Sequence, residues 1–321
     1  MKKASGYRYL EAFVQCNGRG ERIRTFDPLV PNQMRYQAAL RPDCRIVIAE
    51  ASIFGCHPHA STWHHRKMTQ APAPLPWLVS GEPFPPVNTA WGSNSVAPGL
   101  LCAGADLSVG TLKSAYQNGI YPWFSADQPI LWWSPAPRMV LEVSQFKLRP
   151  SLKKILKKFA GDSNCEIRID TAFAQVIQAC ASSPRQGAHG TWIVPDMINA
   201  YIDLHHAGLA HSIETWNKGQ LVGGLYCVAI GQAVFGESMF YRSPNASKIA
   251  LAALVSLCRH YKISQIDCQQ NTAHLQSLGA HELARAEFTQ RVHALAQQPA
   301  IDWRFQPLYW RELFTFKPDS A

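Results

Sequence analysis

Apolar residues in the stretch RPSLKKILKKFAG fall at Leu152, Ile155, Leu156 and Phe159, while Lys153, Lys154, Lys157 and Lys158 cover the other side. The spacing i, i+3, i+4, i+7 predicts an amphipathic helix with an exposed lysine face. Upstream, DLSVGTLKSAYQNGI carries the same period in Leu112, Ala115 and Tyr116, with Ser108 placed to cap the first turn and Asn118-Gly119 to end it. Met139 to Phe146 and Glu166 to Asp170 read as strands; Ala172 to Ala181 and Asp196 to His206 read as helices, with Pro195 opening the second. Three adjacent strands follow, His211 to Trp216, Gln220 to Ile230 and Gln232 to Phe240, the first pair joined by the tight polar turn Asn217-Lys218-Gly219. A helix from Ser243 and Pro244 to about His260, a buried strand ISQIDCQ and a last helix around Ala286 to Gln297 complete the pattern. Antiparallel strands, a long helix and a return strand describe an α+β half.

The front of the chain lacks such order. Residues 68 to 97, rich in Pro, Gly, Ser and Trp, suit loops and short strands, and residues 1 to 67 show neither a 3.6 nor a 2.0 period. Charge divides at the same place: the first 67 residues hold 11 Lys and Arg against 5 Asp and Glu, a net of +6, and the remainder contributes only +3 of the total +9. Residues 1–67 are therefore expected to be a non-native or disordered extension, with translation starting at Met68.

With 47% apolar residues the chain has ample material for a core, and no apolar run approaches the roughly 20 residues that span a bilayer. The nine cysteines form no CxxC pair, so reduced core thiols and a cytoplasmic location are expected. Cys56, His57, His59, His64 and His65 cluster in the extension without the paired spacing of zinc ligands, and no metal is expected.

Absences narrow the chemistry. GxxxxGK[ST], GxGxxG after a strand and GxSxG are all missing, which points to a reaction on an already activated substrate. Glu237 lies in the apolar strand of FGESMF, where an unpaired carboxylate is costly to bury, so it needs a cationic partner or a cavity. In QIDCQ, Asp267 and Gln269 alternate onto one strand face, which sets a carboxylate beside an amide; capping or pairing with a neighbouring element is the plainer role for Asp267. Trp192 in GTWI suits a core position by composition. The loop YPWFSADQPILWWSPAPR, residues 121 to 138, concentrates Trp123, Trp132 and Trp133 in one flat, stiff surface.

AYQNGIYPWF, PILWWSPAPR, GTWI, AHSIETW, LVGGLY, GESMF, NASK and IDCQ followed by SLGA stand in the order and spacing of the leucyl/phenylalanyl-tRNA protein transferases, and the chain from about Pro76 to Leu313 resembles that family. The resemblance implies an α+β fold: a small N-terminal α/β domain, residues 68–137, packed on a GCN5-type acetyltransferase-like (GNAT-like) catalytic domain, residues 138–321, without acetyl-CoA or any other cofactor. It implies transfer of Leu, Phe or, less often, Met from aminoacyl-tRNA to proteins with N-terminal Arg or Lys, which creates an N-degron. Asp267 polarising Gln269, with Glu237 near the incoming amine or the Arg/Lys side chain, would be the catalytic group. Tyr116 and Trp123 would lie at the adenosine end of the aminoacyl-adenosine pocket, with Trp192, Leu225 and Leu254 around the side chain. Trp132 and Trp133 pack beneath the loop.

Lys153, Lys154, Lys157 and Lys158 have a natural partner in the phosphates of the tRNA acceptor stem, against the alternative of a merely solvated face. The chain departs from the family's usual residues at Pro98, at Ala105 in place of a Gly, at Cys227 and at Gln270-Asn271. Two rival readings stand beside this one. An acetyl-CoA N-acetyltransferase would need a glycine-bearing pyrophosphate loop that YRSPNASK lacks, and a non-catalytic tRNA-binding module would leave Glu237, Asp267 and Gln269 incidental.

Overall fold

The computed structural model describes the backbone of residues 10–16, 19–24 and 45–50, and residues 74–126, 128–183 and 193–315 in full. In the first of these regions β1 (Leu10–Cys16), β2 (Arg19–Arg24) and β3 (Arg45–Glu50) form an antiparallel sheet in the order β2-β1-β3, where the sequence offered no legible period.

A second sheet contains β4 (Trp77–Leu78), β5 (Leu100–Gly104), β6 (Tyr121–Pro122) and β7 (Leu131–Trp133) in the order β4-β5-β7-β6. Helix α1 (Val109–Gln117) begins as expected, Ser108 Oγ accepting from the Thr111 amide at 3.3 Å. Trp132 is fully buried and donates through Nε1 to the Gly104 carbonyl at 2.9 Å, and Trp133 donates to the Trp123 carbonyl at 2.7 Å, so both pack the loop from beneath. Ala105, where the resemblance leads one to expect glycine, holds φ 57°, a left-handed conformation that costs an L-residue about 1–2 kcal/mol.

The large sheet has seven strands: β8 (Arg138–Glu142), β9 (Cys165–Ile169), β10 (Ala210–Asn217), β11 (Gln220–Ile230), β12 (Ala233–Tyr241), β13 (Gln265–Gln269) and β14 (His281–Leu283), in the order β14-β8-β13-β12-β11-β10-β9. Helices α2 (Pro150–Ala160), α3 (Phe173–Ser182), α4 (Pro195–His206), α5 (Ala246–His260), α6 (Ala273–Ser277), α7 (Arg285–Ala296) and α8 (Arg311–Phe314) flank it. The expected strand, helix and return strand are β12, α5 and β13, and β13 runs parallel to β12 as a crossover demands.

Some boundaries differ for physical reasons. The first strand of the C-terminal half stops at Glu142 because residues 143–145 tighten into a 3-10 turn. Helix α5 starts after Asn245 rather than at Ser243, since Asn245 holds φ 67°, which an α-helix cannot contain. Helix α7 is followed by the short α8, so it is not the last.

Each face of the large sheet buries its own cluster. One, with α1, α3 and α4, includes Tyr116, Tyr201, Tyr226 and Phe235. The other, with α2 and α5, includes Leu156, Leu225, Cys227 and Leu254.

Candidate active site

The β12–β13 ladder lasts only two rungs, Val234 opposite Ile266 and Phe235 opposite Asp267. Immediately beyond the last rung stand Glu237 on β12 and Gln269 on β13. A bulge against Tyr226 and Cys227 re-aims the chain at Gly236 and Glu237, and a second bulge on β13, with Gln269 at φ 61°, breaks the strict alternation there.

Glu237 collects neutral partners. Tyr116 donates to Oε1 at 2.7 Å, Gln269 donates from Nε2 to Oε1 at 3.0 Å, and the Tyr201 hydroxyl reaches Oε2 at 3.5 Å and also bonds the Tyr116 hydroxyl. Burial pushes the Glu237 carboxyl up to about 7, further helped by the negative charge of Asp267 and opposed by the hydrogen bonds from Tyr116 and Gln269 and by Arg138. The sequence required a cation or a cavity for this carboxylate, yet its direct partners are two phenols and an amide. Burial and the neighbouring Glu237 raise both phenols well above their ordinary value, so both keep their protons and can donate at neutral pH.

Asp267 is occupied differently. Arg138, fully buried at the start of β8, grips it with Nε to Oδ1 at 2.8 Å and Nη2 to Oδ2 at 2.6 Å. The guanidinium lies between the rings of Tyr121 and Phe288, 4.7 and 4.6 Å from their centroids, and donates to the Gly119 carbonyl at 3.2 Å. The Gln269 backbone amide donates to Asp267 Oδ1 at 2.9 Å. The side-by-side carboxylate and side-chain amide expected from alternation therefore needs correction: the bulge brings the Gln269 main chain to Asp267 and sends its side-chain amide to Glu237.

Tyr116, Glu237, Asp267 and Gln269 thus come together. Tyr116, expected at the adenosine end, is fully buried, with its ring tilted against Phe235 at 5.0 Å and its hydroxyl on Glu237. Trp123 is half-buried on the small sheet, edge-on to Trp133 at 5.4 Å. Leu225 and Leu254 are buried on the α5 face of the large sheet, Leu225 opposite Met239. Trp192 lies outside the described residues, as does the cluster from Cys56 to His65. Lys154, Lys157 and Lys158 are exposed on α2, and Lys153 is half-buried with its ammonium 3.5 Å from the Phe314 carbonyl oxygen.

Arg138 and Tyr201 escaped the sequence reading. A lone arginine opening the apolar strand RMVLE was a signal that a buried anion would face it; Tyr201, on the apolar side of α4, carried none. A groove of about 390 Å³ between Glu142, Arg259, Lys262 and Glu312 lies at the other end of β8 from Arg138, and its Arg259 is engaged with the Val143 and Glu312 carbonyls. Among the described residues, no group of three or more His, Cys, Asp and Glu could hold a metal, and no helix is long and apolar enough to cross a membrane.

Parallel strands that part around a carboxylate and an amide, joined by a long helix, make this an α+β protein with a polar site at the strand ends. A family model described as leucyl/phenylalanyl-tRNA protein transferase matches residues 140–293, and the model of that family's N-terminal domain matches residues 105–136. A leucyl/phenylalanyl-tRNA protein transferase of Polaromonas sp. is 58% identical over 248 residues, 77% of this chain and 97% of that protein. One of Albidiferax ferrireducens is 58% identical over 253 residues, 79% of this chain and 99% of that protein. The chain belongs to the leucyl/phenylalanyl-tRNA protein transferase family, whose members are aminoacyltransferases. A solved GCN5-related N-acetyltransferase-like protein from Streptococcus suis, 14% identical, covers 54% of this chain and 63% of its own at a TM-score of 0.29. The fold class rests on the strand order above and not on that superposition.

Proposed function

We propose that the protein transfers leucine, phenylalanine or methionine from an aminoacyl-tRNA to the α-amine of proteins that begin with Arg or Lys, marking them for degradation in the cytoplasm. The neutral amine nitrogen attacks the ester carbonyl carbon and the bond from that carbon to the ribose oxygen breaks. The nitrogen loses a proton and the ribose oxygen gains one, so the step balances without a second energy source. An α-amine has a reference pKa of about 7.7–8.0, so mild assistance suffices.

Glu237, poised near neutrality, is matched to receive that proton. Gln269 holds the carboxylate and presents its amide to the reacting groups, and Asp267, through Arg138 and the Gln269 main chain, is a positioning residue. Tyr116, Trp123, Trp192, Leu225 and Leu254 are assigned to the aminoacyl-adenosine pocket on the family's pattern. Lys153, Lys154, Lys157 and Lys158 are assigned to the phosphates of the acceptor stem.

The observation that carries this reading is the Glu237 carboxylate, hydrogen-bonded to Tyr116 and Gln269 where the β12–β13 ladder ends. Radiolabelled Leu-tRNA is mixed with peptides beginning Arg, Lys or Ala, using the full chain and one starting at Met68. Label should enter the Arg and Lys peptides equally with both chains. Acetylation of the same peptides by acetyl-CoA without aminoacyl transfer would establish the acetyltransferase rival, and full transfer by Asp267→Ala would favour the non-catalytic one.

A further inference from the structure

Tyr241, four positions beyond Glu237 on β12, is 68% exposed. Alternation puts it on the same sheet face as Met239, the face that α5 covers. Arg242 and Lys248 beside it are also exposed, and no acidic residue lies between positions 241 and 248. The Arg242 guanidinium lies 5.4 Å from the Phe240 ring and donates to the Leu221 carbonyl, which fixes it at the end of the strand.

Tyr241 stands in a row across four strands, opposite Gly223, which is opposite Thr215, which is opposite Ile167. On the same end of the sheet the Arg168 guanidinium covers Trp216 at 4.3 Å. Lys218 is exposed in the β10–β11 turn, its backbone amide bonded to the Asn164 carbonyl in the loop that leaves α2. Cations thus run from the lysine helix, past this turn, to the rim of the active site. From Tyr241 to Glu237 the strand spans about 13 Å, roughly four stacked nucleotides at 3.4 Å each.

We propose that Tyr241 stacks on a base of the unpaired 3′ end of the RNA substrate, upstream of the terminal adenosine, with Arg242 and Lys248 on the adjoining phosphates. The inference rests on the reading of the substrate as an aminoacyl-tRNA. An open phenol ring beside two cations suits a base and its phosphates. An acceptor beginning with Arg or Lys is itself cationic and is repelled there, which selects the RNA over the protein substrate.

Anisotropy of a labelled RNA hairpin, blunt or with a short unpaired 3′ end, reads this on the full chain. Tyr241→Ala should weaken binding of the tailed hairpin about tenfold and leave the blunt one unchanged; Tyr241→Phe should bind as the parent does. Arg242→Gln with Lys248→Gln should flatten the log–log salt slope for the tailed hairpin by about 1.4. Equal affinity of Tyr241→Ala for the tailed hairpin, or a loss shared by both hairpins, overturns the proposal. Unchanged RNA binding with a raised KM for an Arg-peptide assigns the ring to the acceptor protein instead. A parent chain with no affinity for either hairpin overturns the substrate reading itself.

Discussion

Asp267, buried, and Glu237, half-buried, stand on neighbouring strands, and their surroundings could hardly differ more. Asp267 faces a guanidinium that meets both its oxygens, itself held between two aromatic rings. Glu237 meets two phenols and an amide, none of which carries a charge, and its carboxyl rises to about 7. One carboxylate is clamped in an ion pair that ties β13 to β8. The other is left able to gain and lose a proton near neutral pH, the division of roles that lets a single site contain both an anchor and an acid–base group.

The contrast can be broken at its stronger side first. Arg138→Met leaves Asp267 as an uncompensated buried charge and should cost about 3–5 kcal/mol in urea unfolding. The double variant Arg138→Met with Asp267→Leu should recover much of that loss. If the single change costs under about 1 kcal/mol, the pair is not what holds the two strands.

Glu237→Gln tests the other side. A folded carboxyl that keeps its proton up to about 7, against 4.5 when unfolded, is fully compatible with the fold below 4.5 and becomes a growing cost as pH rises through 7. Removing the charge should therefore stabilise the protein at pH 8 by up to about 3 kcal/mol, as an upper bound, and change nothing at pH 4. The same variant should lose transfer by about a hundredfold or more. A stability gain that is equal at both pH values would remove titration from the account.

A smaller change sharpens the comparison without destroying it. Tyr116→Phe deletes a hydrogen bond that lowers the Glu237 pKa, so the acid limb of the transfer pH profile should move to higher pH, with a stability loss of about 1 kcal/mol. An unmoved acid limb would separate Glu237 from the rate. Smallest in stability is the lysine face. Changing Lys154, Lys157 and Lys158 to Gln should alter unfolding by no more than about 0.5 kcal/mol, while the salt slope of tRNA binding falls by about 2–3. An unchanged slope would return these side chains to plain solvation.

How far the sequence reached depended on whether the deciding contacts were local. Period and capping alone placed α1 and α2, and the turn at Lys218-Gly219 separated β10 from β11, because a helix face or hairpin is written in residues a few positions apart. Strand composition likewise marked Glu237 as out of place, and alternation with motif order marked Asp267 and Gln269. Alternation failed at Gln269, since a bulge answers to the partner strand β8 and leaves no trace in the period. The partners of each carboxylate belonged wholly to the tertiary structure: Arg138 lies 129 positions from Asp267 and Tyr116 lies 121 from Glu237. A chain can announce that it places a carboxylate among apolar residues, but which groups meet that carboxylate is settled only when distant strands and helices enclose it.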